Sequence, residues 1–242
     1  MRGWRGRAAA VAIGVALLAA CGDSASAPLV SVVTAESRGA IEIAVPLPTP
    51  DRLAREVGLD EELDGALAVW EASWAATPER GGAVRDSVRM ALAAGLATRV
   101  SARRAGEAAG ELKRVVDDIG ELPEGAVVPG LAERLAEARD AVTRASLAAR
   151  EGRVEEALQG TLAAADAVEA LRPRRVAQAL TAEVEALSRR EGGLDAYPDE
   201  TRGRIVRLLE GARDALLLED YPRAIRRGYY ACRLLGGCVG AR

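Results

Sequence analysis

From Thr49 onward the apolar residues of this chain recur at helical spacing. Leu63, Leu67, Trp70 and Trp74 stand three or four residues apart. So do Leu135, Ala138, Val142 and Ala145, and again Ile205, Leu209, Ala212 and Leu216. Behind each stripe comes a second helical segment, "GAVRDSVRMALAA" from Gly82, "GRVEEALQGTLAA" from Gly152 and "EDYPRAIRRGYYA" from Glu219. The starts lie 70 and 67 residues apart. Each segment has a small residue five positions on (Ser87, Ala157, Ala224), a branched one next (Val88, Leu158, Ile225) and Ala at the twelfth (Ala94, Ala164, Ala231).

A third apolar stripe follows the first two pairs: Ala105, Ala109, Leu112, Val116 and Ile119, then Val176, Leu180, Val184 and Leu187. The pattern predicts an all-α array of helical hairpins. Its unit is about 70 residues and three helices, present two and two-thirds times. Such a unit is too thin to bury its own face, so neighbours must stack. Alanine fills most inward positions, which lets helix axes approach closely. No proline divides Gly82 to Ile119, so one long or kinked helix there is the alternative to two separate ones.

Ahead of the array the period changes. Ile41, Ile43, Val45 and Leu47 alternate with Glu42, Ala44 and Pro46, and Val30, Val32 and Val33 are β-branched. A two-stranded ribbon turning near Arg38-Gly39 fits, and so does an extended segment. A lone ribbon is marginal in water, so it must dock on something. Thr49 then serves as N-cap, Pro50 opens a short helix and Gly58 stops it. The chain divides into residues 1–20, residues 21–48 and an all-α repeat domain over residues 49–242.

Residues 1–20 carry Arg2, Arg5 and Arg7 and then an apolar run from Ala8 to Ala20. Thirteen residues are too few to span a bilayer, which takes about 20. They suit a signal peptide. The run ends Leu18-Ala19-Ala20-Cys21, which resembles the lipobox of bacterial lipoproteins. The resemblance implies cleavage before Cys21, a lipidated thiol such as a diacylglyceryl thioether, and an acylated new N-terminus carrying a palmitate-type chain. Two or three acyl chains anchor stably where one does not. Residues 22–28, "GDSASAP", then read as a tether. Gly22 follows the cysteine and Asp23 comes one later, a pattern that leans toward the outer membrane in a diderm cell. The other reading is an ordinary cleaved signal with an incidental cysteine.

Charge narrows the functional classes. With 33 basic and 36 acidic residues the chain is net −3, and without residues 1–20 it is −6. Nucleic acid needs a positive footprint, so it is not an expected partner. Histidine is absent. That removes the usual general base and the commonest neutral metal ligand. No nucleophile–base set, phosphate-cradling loop or calcium-loop spacing appears in its place, so neither catalysis, nor a cofactor, nor a metal is expected. The acidic loops Asp117 to Glu124 and Asp195 to Glu200 read as negative charge favoured at helix starts. Arg172 to Arg175 suits either anionic headgroups or the end of the preceding helix.

A few residues stand out as contacts. Trp70 and Trp74 are either an aromatic hot spot for a partner or core packing, and both lie on the apolar stripe. Tyr230 lies off its stripe and is the better surface contact; Tyr229 lies on it. If Gly236 turns the chain back in the left-handed conformation, Cys238 comes within reach of Cys232 and a disulfide fits. Otherwise Cys232 is buried and Cys238 is free.

The segments at Gly152, Ala157 and Ala164, and at Ala224 and Ala231, resemble the second helix of a tetratricopeptide repeat. Glu219 stands where that family has Gly, and the 70-residue period is twice the family's. What the resemblance implies is a protein–protein scaffold. The expectation is a lipid-anchored, extracytoplasmic scaffold or adaptor in the cell envelope. It has a membrane partner through its lipid and an envelope protein partner. The alternative is a carrier holding a small apolar ligand between helices.

Overall fold

The computed structural model describes residues 29–35, 38–58, 60–122, 128, 130–190 and 192–236. Cys21, the signal-like segment and Cys238 lie outside them. Among the described residues are nine α-helices and a two-stranded antiparallel ribbon. The molecule is an all-α array of helical hairpins with a short β segment in front.

Local signals set most boundaries. Helix α1 (Pro50–Val57) begins at a proline after Thr49 and ends at Gly58, whose φ is 91°. Helix α2 (Glu61–Ser73) is capped by Asp60, whose side chain accepts the Leu63 N–H at 2.9 Å. Helix α3 (Pro78–Ala97) and helix α4 (Ala102–Gly120) are separate, as the three-helix unit expects, and are not the one long or kinked helix that the lack of proline also allowed between Gly82 and Ile119. The chain breaks at residues 98–101, where Ser101 caps α4 by accepting the Arg104 N–H at 3.2 Å. A side-chain cap here does what proline does elsewhere.

Helix α5 (Leu131–Arg150) turns through Gly152, φ 74°, into α6 (Val154–Glu169). Helix α7 (Pro173–Ser188) starts at its proline. A short 3-10 turn at Leu194–Ala196 leads to α8 (Asp199–Leu217) and α9 (Tyr221–Leu234). Gly236 follows with φ 90°, the left-handed stop the sequence suggested.

The pairs α2–α3, α5–α6 and α8–α9 are the expected hairpins. Their inward positions are the expected ones too: Leu63, Leu67, Ala138, Val142, Ile205 and Ala212 are all buried. Small residues set the spacing. A Cβ on Gly160 would come within 2.9 Å of the Ala141 carbonyl, so α5 and α6 sit closer than any larger residue would allow.

The third helix of each unit packs forward. Helix α4 lies on α5 and α6, and α7 lies on α9 and α8. The packed groups are therefore α1–α3, α4–α6 and α7–α9, with α3 laid against α6 to join the first two.

Strand β1 (Val30–Ala35) pairs with β2 (Arg38–Ile43), with Val30 opposite Ile43 and Ala35 opposite Arg38. Arg38 and Gly39, near which the turn was expected, are themselves paired in β2, and residues 36–37 lie outside the described set. The ribbon docks, as an isolated ribbon must. Val30, Ile41, Ile43 and Leu47 join a core with α4, α5 and α6, while Ala40 joins one with α7 and α9. The Ile41 N–H donates to the Leu171 carbonyl at 2.8 Å, tying β2 to the α6–α7 corner.

Candidate functional site

Helix α6 is the centre of the array, and its inner face carries charge. Asp166 continues the four-residue spacing of Leu158 and Leu162, and Glu169 lies one turn further on. Both are buried. Isolated buried carboxylates are costly, so partners must converge on them.

They come from three helices. The Trp70 indole N–H of α2 donates to Asp166 Oδ1 at 2.9 Å. Arg89 of α3 reaches Asp166 Oδ2 at 3.5 Å and Asp86 at 2.8 Å. Burial pushes the Asp166 carboxyl up to about 6, against the pull of Trp70, Arg89 and Arg85. Arg175 of α7 lies 3.5 Å from Glu169 and donates to both carboxylate oxygens of Glu71, at 2.9 and 2.7 Å. Those bonds hold the Glu71 carboxyl below its ordinary value. Arg174 reaches Glu71 as well, at 2.9 Å, and Arg172 reaches Glu169 at 3.1 Å.

The two tryptophans fill the space between these charges. Their rings meet edge to face with centroids 5.9 Å apart. The guanidiniums of Arg85 and Arg175 lie over Trp74, 3.8 and 4.8 Å from its centroid. Burial holds Arg85 below the ordinary arginine value, and Asp166 opposes that shift. One cluster thus joins α2, α3, α6 and α7, one or more helices from each of the three packed groups.

The sequence-derived candidates fall as follows. Trp70 and Trp74 are 4% and 6% exposed, so they are core and not an open hot spot. The Arg172 to Arg175 run turns inward: it holds Glu169 and Glu71, and Arg175 is buried. Tyr229 and Tyr230 are both half-buried and meet edge to face at 5.7 Å, with Arg233 near Tyr229. Cys232 is fully buried and disulfide-bonded. Its expected partner, Cys238, lies outside the described residues. If the two are paired, denatured but unreduced protein should show neither thiol to a thiol reagent, with two thiols appearing after reduction. Two reactive thiols before reduction would refute the pair.

Two concave surfaces flank the cluster. An open cleft of about 1060 Å³ runs between β2, α1, α2 and the start of α7. Five arginines and five carboxylates line it, with Leu47, Leu67 and Trp70 among its apolar residues. On the other side, α3 and α5 form the walls of a groove floored by α6. Gly160, Ala163, Ala167 and Ala170 keep that floor low, and Met90 on the α3 wall is 59% exposed. Among the described residues no group of three His, Cys, Asp or Glu is placed to hold a metal ion. No described helix is long and apolar enough to cross a membrane. Comparison with protein-family models, with curated proteins and with solved structures gives no match.

Proposed function

We propose that this chain is a lipid-anchored cell-envelope protein that works as a scaffold for a protein partner. The observation that carries the reading is the α3–α5 groove over the small-residue floor of α6. It is open along its length, walled by charges of both signs, and has an exposed apolar side chain at Met90. A groove of that kind suits an amphipathic helix or extended segment of another protein. A carrier for a small apolar ligand would use a mostly apolar pocket that encloses its ligand. The open cleft of about 1060 Å³ is lined instead by five arginines and five carboxylates. The anchor rests on the sequence alone, on Arg2, Arg5, Arg7, the apolar run and Leu18-Ala19-Ala20-Cys21.

The test is crosslinking in cells with a photoreactive residue in place of Met90, then isolation and mass spectrometry. Cys21→Ala serves as the mislocalised control. The expected result is one abundant envelope protein crosslinked through position 90 and lost in the control. Absence of a protein adduct, with lipid or another small molecule carried through purification, would overturn the scaffold in favour of the carrier.

A further inference from the structure

The Asp166 carboxylate stands where the first packed group meets the central helix, and its two oxygens do different jobs. Oδ1 accepts from Trp70 of α2, and Oδ2 faces Arg89 of α3. We infer that Asp166 is a proton-operated latch: on taking up a proton it keeps Trp70 but releases Arg89, and α3 loosens from α6 along the groove.

The charges around it give the latch its direction. On the α3 wall are Arg85, Asp86 and Arg89; on the α5 wall are Arg134, Glu137, Asp140 and Arg144. With Asp166 on the floor, four positive groups face four negative ones. A proton on Asp166 leaves the positive side in excess, and Arg85 already feels the repulsion of Arg134. Glu169 on α6 and Glu71 on α2 do not offset this, because Arg172, Arg174 and Arg175 hold them. Arg89 keeps only Asp86 on its own helix, an exposed partner that ties α3 to nothing else. The Trp70 bond survives, since a neutral carboxyl still offers a carbonyl acceptor. Burial places the transition near pH 6, well above an ordinary aspartate.

The sign follows from that raised value. The unfolded carboxyl ionises near 3.8, so the folded state holds its proton more tightly between 3.8 and about 6. Asp166 therefore lowers global stability as pH rises through 6, while the Arg89 tie forms over the same interval. Local and global effects run in opposite directions, which separates a latch from simple acid unfolding. The chain has no histidine to titrate in this window.

The experiment follows the Trp70 indole N–H resonance of the full chain from pH 4.5 to 8, with amide hydrogen exchange in α3 and α5. The wild type should inflect near pH 6, and α3 should lose protection relative to α5 on the acid side. Asp166→Asn should be flat. Arg89→Gln should move the inflection to higher pH, because it removes a cation that favours the carboxylate. It does so even if the Asn variant fails to fold. No inflection between pH 5 and 7, an inflection unmoved in Arg89→Gln, or unchanged relative protection of α3 would each overturn the latch.

Discussion

Trp70→Ala is expected to destabilise the fold by about 3–5 kcal/mol. Trp70 is 4% exposed and is surrounded by Trp74, Arg175 and Asp166, so the space it leaves cannot close without moving charged groups. Its loss also strands Asp166, a buried acceptor whose other partner is at 3.5 Å. Domains of this size are stable by only about 5–15 kcal/mol, so such a loss brings the chain near its limit. Trp70→Phe separates the two contributions. It keeps an aromatic ring but removes the N–H donor together with three ring atoms, so at least the roughly 1–3 kcal/mol of a stranded buried acceptor is expected. Urea denaturation of the three proteins measures both. Equal midpoints for Trp70→Phe and wild type would show that the Asp166 bond contributes nothing.

Arg175→Ala is expected to cost a similar amount, about 3–5 kcal/mol, for a different reason. The Arg175 side chain is 7% exposed and faces Glu169, whose side chain is 8% exposed. Truncation leaves that carboxylate buried with Arg172 alone, and removes the cation over Trp74. Arg175→Lys should not rescue it, because one ammonium cannot reproduce the paired bonds to Glu71. Adding Glu169→Gln to Arg175→Ala should recover part of the loss, and the double-mutant cycle gives the coupling.

The pH dependence has a definite sign. The Glu71 carboxyl is lowered from 4.5, mainly by its hydrogen bond from Arg175. Its contribution is present above 4.5 and lost as pH falls through the lowered value. The gap between wild type and Arg175→Ala should therefore narrow in acid. A gap that is constant or widens from pH 6 to 3 would contradict the pair.

Helix positions and inward faces were legible because three- and four-residue spacing reports directly which side of a helix meets the core. Proline and glycine then marked Pro50, Gly58, Pro173 and Gly236. The break between α3 and α4 was harder to see, since Ser101 stops and restarts the chain through a hydroxyl cap amid strong helix formers. Spacing also says which face is covered and not what covers it. The stripe Ala105, Ala109, Leu112, Val116, Ile119 was plain, whereas its contact with the following hairpin was not. The Arg172 to Arg175 run shows the same limit. Its charges suggested water, a membrane or a helix end, and their Glu71 partner lies a hundred residues away in sequence. The cluster does leave one sign in the sequence: Asp166 and Glu169 interrupt an otherwise apolar stripe of α6. A charge on a buried face needs an opposite charge from another element, and that requirement points to Arg89 and Arg175.

The docked ribbon changes how the array can come apart. In an open stack of repeats each unit touches only its neighbours, so the ends can fray one unit at a time. Here β1 and β2, the first described elements, rest against α7 and α9 near the opposite end of the chain. The first of the described elements is held by the last of them. The ribbon's contacts cannot all form during synthesis until α9 has emerged, and once they form, the ribbon and α9 cannot fray independently of each other.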